Sequence, residues 1–416
     1  MARKIIIIIG AGASGLLAAG TAAGAGVQVV VLEKMHRPGR KLRITGKGRC
    51  NLTNIAGIPE FISHFGKNGK FLHQAFARFF SDNLITLLTE LGVDVQTERG
   101  GRVFPAGNDA RQIVDALTEW AESQGATIKR KYPVNKITIK DNHVIGISGN
   151  DELPADAIIV ATGGKSYPLT GSTGDGYKFA RTAGHTIVPL RPALVPIETC
   201  GNTAARLQGL SLKNISVSVF IEGKKKHSKF GEMIFTHYGV SGPIILSLSK
   251  HIVDALRDKK AVELSIDLKP ALDEKKLDNR LLRDIKEGGK KKYQNMLKGL
   301  LPSKLIPVFC ELTNIEHDKT TQQITAEERK RIKSHLKDFR LEVSGHKSYD
   351  EAIVTAGGIS LKEINPRTME SKIIKGLYFC GEILDLDGET GGYNLQAAFS
   401  TGYLAGISAA SAAIDK

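Results

Sequence analysis

Three glycines near the start of the chain have the spacing of a phosphate-binding turn. Gly10, Gly12 and Gly15 form the pattern G-x-G-x-x-G between the apolar segment KIIIII and an alanine-rich segment. The first glycine of this pattern permits a tight turn, the second lets the backbone approach a pyrophosphate, and the third lets helix and strand pack closely. Glu33 ends the next apolar segment, VQVVVLE, at the distance of an acid that accepts hydrogen bonds from ribose hydroxyls. We therefore predict a dinucleotide site that includes Glu33 and its neighbour Lys34.

The loop GRKLRITGKGRCNLTN, which follows Glu33, crowds basic residues among glycines. Arg40 and Lys41 can offset phosphate charge, and the glycines permit close backbone approach. Asn51 can offer an amide hydrogen bond near a ring. Cys50 is the only cysteine in the loop, whereas a disulfide reductase needs two neighbouring cysteines. The residues of this loop that we predict to bind the cofactor are Arg40, Lys41, Thr45, Gly46 and Asn51.

Four side chains are candidates for donating a proton to a substrate. They are Tyr167 in KSYP, His237 and Tyr238 in FTHYGVSGP, and Tyr393 before the last helix. His237 is the preferred candidate, because the glycine, serine and proline after it predict a shaped turn. We assign no catalytic residue from the sequence. The four cysteines lie far apart without a C-x-x-C pair, so neither a metal site nor a disulfide framework is predicted.

The elements that must position these residues alternate in the manner of an α/β protein. KIIIIIG, a helix from about Ser14, VQVVVLE, a helix around 83–91 and DAIIVATGG imply a parallel sheet with helices on its faces. After Pro189 an alternation with period two, as in AVELSIDL, predicts an antiparallel barrel or sheet. Farther on, Thr325 and Glu328 have the spacing of a capping box before a charged helix.

We predict a nucleotide-binding domain that is interrupted by an insertion. The binding domain comprises residues 1–190 and 356–416, and the inserted domain comprises residues 191–355. The insertion is predicted to be β-rich at 191–270 and 340–355 and helical at 271–339. A chain of 416 residues is long enough for two such cores.

Composition limits the classes of protein that the chain can represent. The net charge of +15 suggests an anionic partner, but basic residues are spread along the chain without an aromatic-interleaved RNA-binding motif. This pattern disfavours nucleic acid and favours a small-molecule substrate. The longest apolar run is broken by glycines and is typical of strand, turn and helix, so no membrane span is predicted. Because no signal-peptide pattern is seen, we expect a cytoplasmic protein, and its oligomeric state is left open.

Beyond the glycine pattern, four segments carry a family resemblance. They are GRKLRITGKGRCNLTN, ATGGKSYPLTGSTGDGYKFARTAGH, FTHYGVSGPIILSLS and the stretch from GGISLKEINPRTMESKIIKGLYFCGE to GETGGYNLQAAFSTGYLAG. In order and spacing they resemble the HI0933-like flavoproteins, a family also described as aminoacetone oxidase or BaiN-type FAD-binding proteins. The resemblance spans nearly the whole chain. It implies a Rossmann-like FAD-binding domain of the glutathione-reductase-like superfamily, interrupted by an inserted β-barrel and a helical subdomain.

The resemblance also implies where FAD is held. Ala13, Ser14 and Gly15 fall at the pyrophosphate, and Glu33 falls at the adenosine ribose. Gly381 and Glu382 match a Gly-Asp pair whose carboxylate accepts from a ribitol hydroxyl, with glutamate one methylene longer. The remaining matched positions are Val134, at the adenine, and Thr162 and Gly163, in the turn over the cofactor.

The glycine turn GETGGYN before the final helix has a physical argument of its own. Free N–H groups at the N-terminus of that helix, near Asn394, can face the O2 and N1 edge of a flavin, where reduction places negative charge. The predicted cofactor-binding residues here are Gly392, Asn394 and Leu395.

The sequence thus predicts an FAD-dependent oxidoreductase acting on a small organic substrate. Family members are associated with amine oxidation and with reduction of conjugated enones, so the direction of electron flow stays open. ATGG followed by TGDG is also similar to succinate dehydrogenase and fumarate reductase flavoproteins, which makes an enoate reductase an alternative. NADH or NADPH is the candidate transient electron donor. The alternative from another class is a nucleic-acid-binding or interaction protein that holds FAD in a structural role.

Overall fold

The computed structural model describes residues 4–414, which form two compact units. Unit 1 comprises residues 4–192 and 352–414, and unit 2 comprises residues 193–351. The second boundary lies four residues before the expected one, because the chain has already entered a strand of unit 1 at Val354.

The strands and helices of residues 4–414 are numbered in chain order. The strands are β1 Ile5–Ile9, β2 Gln28–Glu33, β3 Thr53–Asn54, β4 Val95–Glu98, β5 Arg102–Pro105, β6 Thr127–Arg130, β7 Lys136–Lys140, β8 His143–Ser148, β9 Glu152–Pro154, β10 Ala157–Val160, β11 Ile187–Ala193, β12 Ile197–Thr199, β13 Ser211–Ile221, β14 Lys224–Phe235, β15 Gly239–Ser241, β16 Val262–Asp267, β17 Phe339–His346, β18 Val354–Ile359 and β19 Leu377–Phe379. The helices are α1 Ala13–Gly24, α2 Arg40–Ile44, α3 Ile58–Ser63, α4 His73–Arg78, α5 Ser81–Glu90, α6 Ala110–Ser123, α7 Asp175–Thr182, α8 Thr203–Arg206, α9 Pro243–Arg257, α10 Glu274–Gly288, α11 Tyr293–Leu297, α12 Ile306–Thr313, α13 Ala326–Lys337 and α14 Tyr393–Ile414.

Unit 1 is built on a parallel sheet of five strands in the order β19-β10-β1-β2-β6. All five residues of β1 are isoleucine, and four of them are buried. A strand that is apolar on both faces must be covered on both faces, and parallel strands need crossover connections that supply this cover. The Rossmann-type architecture follows from this arrangement.

Helices α1 and α14 pack closely beside this sheet because their contact is made of small residues. A Cβ added at Gly402 would overlap the Ser14 carbonyl oxygen, and one at Gly406 would lie 2.6 Å from the Ala18 carbonyl oxygen. Helix α14 is long and apolar enough to cross a membrane by length and composition, but 61% of its most apolar window is buried inside the protein. Its apolar character is therefore accounted for by packing in the core of unit 1.

Unit 2 contains a closed antiparallel barrel of six strands in the order β12-β15-β14-β13-β16-β17. Alternate residues of β13, such as Val217 and Val219, are fully buried inside it. Helices α10 to α13 form the charged segment between β16 and β17. The predicted capping box is present, because Thr325 accepts from Glu328 N and the Glu328 carboxylate accepts from Thr325 N.

Candidate functional site

The glycine turn after β1 leaves open space in front of helix α1. Gly10 has φ +102°, and a Cβ there would lie 2.7 Å from the Ala161 carbonyl oxygen. A Cβ at Gly15 would overlap the Gly10 carbonyl oxygen. Gly12 differs, because no protein atom lies within 4 Å of an added Cβ. The unfilled space beside Gly12 adjoins the N-terminus of α1, whose first residues are Ala13 and Ser14. The free N–H groups and the dipole of this helix end favour binding of an anion.

Glu33 stands at the C-terminal end of the neighbouring strand β2 and braces this turn. Its Oε2 accepts from Ala11 N at 2.9 Å, and its Oε1 accepts from Met35 N at 2.8 Å. Burial raises the pKa of the Glu33 carboxyl, although these two bonds and the nearby charges of Lys34 and Arg40 oppose the rise. A carboxylate accepts about four hydrogen bonds, so Glu33 retains acceptor capacity for a ligand hydroxyl.

Lys34 is tied to the segment that precedes α7. Its Nζ lies 2.6 Å from Asp175 Oδ2 and also donates to Thr173 Oγ1. Burial, the largest single influence, raises the pKa of Asp175, but the hydrogen bonds from Lys34 and Thr173 and the nearby lysine charges together outweigh it, so this pKa is lowered. The Lys34 charge is thus already paired within the protein.

Val134 lies close to the same end of β2. Tyr132 N donates to the Glu33 carbonyl oxygen at 2.9 Å, and Lys131 N donates to the Met35 carbonyl oxygen at 3.1 Å. Two residues farther on, Val134 is half-buried against the core of unit 1. The predicted adenine neighbour and the predicted ribose acceptor therefore stand on adjoining segments.

Lys41 and Glu382, which are far apart in sequence, form one buried network. Lys41 Nζ lies 2.6 Å from Glu382 Oε2 and donates to Ser166 Oγ. Glu382 Oε1 accepts from Ser166 Oγ at 2.7 Å and from Thr355 N at 2.8 Å. The sequence assigns Lys41 to the phosphates, but its ammonium group is paired with the carboxylate. Arg40 differs from Lys41, because no ion pair holds its guanidinium group among residues 4–414.

The glycine-rich part of the loop is held by its own backbone. Gly46 has φ +57°, and Cys50 N donates to the Thr45 carbonyl oxygen at 3.0 Å. Burial raises the pKa of the Cys50 thiol to about 12, so it stays protonated. Arg49 donates to Asn108 and Glu98 and stacks over Phe104, so it anchors the loop to β5.

The loop meets the start of helix α14. With its amide oriented to satisfy the neighbouring groups, Asn51 accepts from Gly392 N at 3.0 Å through its oxygen and donates to the Thr53 carbonyl oxygen at 3.3 Å through its nitrogen. Gly392 has φ +97°, and a Cβ there would overlap the same Thr53 oxygen. Only glycine therefore fits between the loop and the helix N-terminus.

The side chain of Asn394 closes the turn before α14 instead of pointing outward. Its Oδ1 accepts from Gly388 N at 2.8 Å, and its Nδ2 donates to the Gly388 carbonyl oxygen at 2.9 Å. Leu395 packs against the core of unit 1. These two predicted residues thus fix the helix start, and it is the backbone N–H groups of the first turn that remain for a ligand.

The turns after β10 and β19 contribute a buried hydroxyl and a close backbone contact. Thr162 Oγ1, after β10, has no hydrogen-bond partner among the described residues, although it is buried. Gly163 follows with φ +69°. Gly381, after β19, has φ +79°, and its N donates to Thr401 Oγ1 at 3.0 Å. A Cβ added at Gly381 would contact the Ser14 side chain, so this turn lies against the start of α1.

These segments share one edge of the parallel sheet. The turns at Gly10, Glu33, Thr162 and Gly381 follow the C-terminal ends of β1, β2, β10 and β19. Ligands of open α/β sheets bind outside the carboxyl ends of the strands. The structure therefore brings together the predicted residues of unit 1 at the edge where an extended, phosphate-containing ligand is expected.

The proton-donor candidates are distributed over both units. Tyr393 is the first residue of α14 and is buried, with its ring stacked on His64 at 3.9 Å. Tyr167 precedes a short turn at φ +52° in unit 1. His237 and Tyr238 occupy the turn between β14 and β15 in unit 2, where His237 is exposed. Tyr238 donates to Glu351 at 3.1 Å, and burial first, then this carboxylate, raises its pKa to about 12.

Sequence reasoning missed several residues that complete the site. Ser166 and Thr355 hold Glu382, Asp175 holds Lys34, and Asn54 donates to the Gly391 carbonyl oxygen at 3.1 Å. Ser166, Asp175 and Asn54 lie in the glycine-rich motifs of the sequence, where a polar residue beside glycines was the available signal. Thr355 had no such signal, because it stands inside an apolar strand.

Comparisons with known proteins match nearly the whole chain. A family model described as HI0933-like protein Rossmann domain matches residues 4–408. The 3-dehydro-bile acid delta(4,6)-reductase of Clostridium scindens is 32% identical over 405 residues, covering 97% of this chain and 98% of that protein. The ribosomal RNA dihydrouridine synthase of Haemophilus influenzae is 33% identical over 407 residues and covers 97% of each chain.

A solved structure extends the comparison to the fold. The open conformation of a flavocytochrome c3 fumarate reductase matches with a TM-score of 0.50 and 17% identity, covering 99% of this chain and 79% of that chain. Together these matches confirm the family resemblance and the Rossmann-like fold that the sequence predicts.

Proposed function

The chain belongs to the HI0933-like family, and from that premise we propose that it is an FAD-dependent reductase of a carbon–carbon double bond conjugated to a carbonyl group. The observation that carries the proposal is the convergence of glycine turns and Glu33 at the C-terminal edge of the unit 1 sheet. Gly12, with open space beside it, and the half-buried carboxylate of Glu33 stand at this edge, and α14, which starts after the glycine-only contact at Gly392, packs against α1.

The donors and acceptors of this edge fit FAD. Gly12 and the first turn of α1 offer space and N–H groups for a pyrophosphate, and the unpaired Arg40 offers charge. The raised pKa of Glu33 expresses the cost of burying a carboxylate, which a ribose hydroxyl donor reduces.

The chain's own residues orient and tune the cofactor. When bound, FAD supplies hydride transfer, while the protein supplies geometry and electrostatics. We assign the N-terminus of α14, fixed by Asn51, Gly392 and Asn394, to the flavin edge where reduction places negative charge. The Lys41–Glu382 pair holds the glutamate carboxylate for a ribitol hydroxyl, so Lys41 acts on the cofactor through Glu382.

The names of the relatives favour reduction over amine oxidation. A 3-dehydro bile acid with 4,6 double bonds is a conjugated ketone, and dihydrouridine is uridine whose ring double bond, conjugated to a carbonyl, has been saturated. Both names describe the addition of two hydrogens across a double bond activated by a carbonyl. We therefore propose the same reaction class for this chain, with NADH or NADPH as the transient electron donor.

The substrate that carries the double bond has two candidate classes. A small enone agrees with the prediction from sequence and with one relative's name. A uracil base in RNA agrees with the other name and with the charge of unit 2, where 29 lysines and arginines stand against 21 aspartates and glutamates, a net charge of +8. This charge also motivates the alternative of a nucleic-acid-binding protein that holds FAD structurally.

The proposal is tested by purifying the protein, recording its visible spectrum and titrating the flavin anaerobically. We expect a yellow protein whose flavin is bleached by NADH or NADPH and recovers its colour on addition of a conjugated enone or a uridine-containing RNA. A colourless protein that takes up no added FAD would overturn the proposal. An amine that bleaches the flavin, without recovery by either double bond, would reverse the proposed direction.

A further inference from the structure

One face of unit 2 combines lysines without partners, an exposed aromatic ring and a row of hydroxyl groups. It is the outer face of the hairpin formed by β13 and β14, which we call the ribbon face and define by Ser216, Ser218, Lys225, Ser228 and Phe230. The register pairs Ser216 with Phe230, Ser218 with Ser228 and Phe220 with Lys225, which sets these side chains on one side of the hairpin. The intervening Val217 and Val219 point into the barrel and are buried.

Phe230 is the centre of this face. Its side chain is 65% exposed, although it stands in the middle of a regular strand. Large apolar side chains on the outside of a sheet mark binding surfaces when polar groups surround them. Its neighbours across the hairpin include hydroxyls: Ser228 is exposed, Ser216 is half-buried and Ser218 is buried, and Ser228 Oγ lies 3.3 Å from Ser216 Oγ and 3.1 Å from Ser218 Oγ.

The tip of the hairpin adds positive charge without compensation. Lys224, Lys225 and Lys226 are exposed, and within residues 4–414 none of them forms an ion pair. The lysines and arginines of helices α10 and α13 differ, because many of them face carboxylates. Such pairs are Lys276–Asp273, Arg280–Asp284, Arg329–Asp278 and Lys333–Glu274. Within the described residues, the three lysines of the hairpin tip are unpaired, as Lys290, Lys291 and Lys292 are, but the tip alone carries them on the hairpin that also exposes Phe230.

Arg340 stands beside this face but does not add to its net charge. Its guanidinium group stacks on Phe220 at 3.9 Å and pairs with Glu263 at 3.0 Å and Asp338 at 2.6 Å. The carboxylates of Glu263 and Asp338 lie at the border of the ribbon face, on the side of β16 and β17. A partner that is anionic along its whole length is therefore directed toward the hairpin tip.

We propose that the ribbon face binds RNA, with a base stacked on Phe230 and the phosphate backbone running along Lys224, Lys225 and Lys226. Sheets that bind RNA stack bases on exposed aromatic rings, and Phe230 is such a ring. The exposed Ser228 hydroxyl, with Ser216 beside it, can exchange hydrogen bonds with bases and ribose 2′-hydroxyls. A membrane would match the lysines, but not the hydroxyl row that surrounds Phe230. The proposal rests on the reductase proposed above and selects RNA as the molecule that carries the double bond.

A charge-matched control is available in the same unit. Lys290, Lys291 and Lys292 are also exposed and form no ion pair among the described residues. The triple substitution K290Q/K291Q/K292Q removes the same charge as K224Q/K225Q/K226Q. A difference between the two variants therefore reports on position and not on net charge.

The test measures binding of the FAD-loaded protein to a fluorescently labelled, unmodified transcript of ribosomal RNA, over a series of salt concentrations. We expect K224Q/K225Q/K226Q to weaken binding about 10- to 100-fold at low salt and to reduce the slope of log K against log salt by about 2 to 3. F230A should weaken binding about 10-fold without changing that slope, because stacking does not release counterions. The control triple variant should change affinity less than about 3-fold, because its lysines lie away from the ribbon face.

Several results would overturn the proposal. The first is an equal loss of RNA affinity in the two triple variants. The second is an F230A protein that binds RNA as tightly as the wild type. The third is a wild-type protein that binds vesicles containing phosphatidylglycerol but does not bind the transcript. The substituted side chains are exposed, so thermal unfolding should confirm that each variant folds.

Reduction of a small enone is measured in parallel, so that the two proposals can fail separately. If the wild type binds the transcript through this face but reduces no double bond, the reductase fails and the RNA-binding surface stands. If the wild type and all variants reduce the enone normally and none of them, the wild type included, binds RNA, the reductase stands and the RNA-binding surface fails.

Discussion

The substitution Gly12→Ala should weaken FAD binding by at least 10- to 100-fold while leaving the apoprotein as stable as the wild type. Gly12 precedes α1 with φ −85°, a backbone angle open to any residue, and no protein atom lies within 4 Å of an added Cβ. The new methyl group would therefore fill only the space where we place the pyrophosphate.

The expected size of each effect follows from this geometry. Alanine is a poorer helix N-cap than glycine, which costs about 0.5–1 kcal/mol. The reduced freedom of the unfolded chain offsets this by about 0.4–1 kcal/mol, so the free energy of unfolding of the apoprotein should hardly change. Each lost N–H bond to a charged phosphate costs about 1.5–3 kcal/mol, and one such bond alone weakens FAD affinity about 10- to 100-fold.

The assay compares Gly12→Ala with Gly57→Ala. Gly57 precedes α3 as its N-cap with φ −73°, and its added Cβ has only Pro59 within 4 Å, at 3.8 Å. Apoproteins are compared by thermal unfolding, and FAD affinity is measured by quenching of flavin fluorescence. Both apoproteins should unfold within about 3 °C of the wild type, and only Gly12→Ala should bind FAD more weakly. Wild-type FAD affinity in Gly12→Ala would refute the assignment of the pyrophosphate to this turn.

Three further predictions concern charged and titratable groups. FAD affinity should fall as pH falls through the raised pKa of Glu33, because FAD binds the ionised carboxylate more tightly. Glu33→Gln should bind FAD weakly, with an affinity that does not change with pH. A pH profile like that of the wild type would contradict the assignment of Glu33 to FAD. A double-mutant cycle of Lys41→Met and Glu382→Gln, measured by chemical denaturation, should give a coupling energy of about 1–3 kcal/mol, because both side chains are about four-fifths buried. Additive effects of the two substitutions on the free energy of unfolding would contradict an interaction between them. His227 and His251 stack at 3.6 Å, and burial is the main cause that lowers both pKa values, so their contribution to stability is present above about pH 6.5 and is lost as pH falls below it. Unfolding of His251→Gln should depend less steeply on pH in that range, and an unchanged slope would contradict this.

The sequence predicted the fold, and it indicated the glycine turns of the candidate site, because both rest on local patterns. The isoleucine strand β1, the glycine spacing after it and Glu33 at the end of β2 are each visible within a few residues. Close packing of α14 on α1 could be anticipated from Gly402 and its alanine neighbours, since small residues permit close approach.

The pairing of distant residues could not be predicted in the same way. Lys41 and Glu382 are 341 positions apart, and no local pattern indicates that they meet. The sequence therefore assigned Lys41 to the phosphates, from its charge and from the family resemblance. Thr355 could not be predicted for a related reason. Its backbone N–H donates to Glu382, and no local pattern indicates this contact, because β18 comes after unit 2 in the chain. The exposure of Phe230 is equally invisible in the alternating pattern of its strand, since alternation does not say which face is covered.

In the proposed reaction, bound FAD carries electrons to a double bond conjugated to a carbonyl. The most direct measurement reduces the flavin of the purified protein anaerobically, removes the excess reductant and adds one substrate at a time. Recovery of the oxidised flavin spectrum is followed together with the mass of the product. We predict recovery with an enone or a uridine-containing RNA, with one product molecule per flavin that is heavier by two hydrogens. A flavin that stays reduced with both, or regains its colour without a saturated product, would contradict the proposed function.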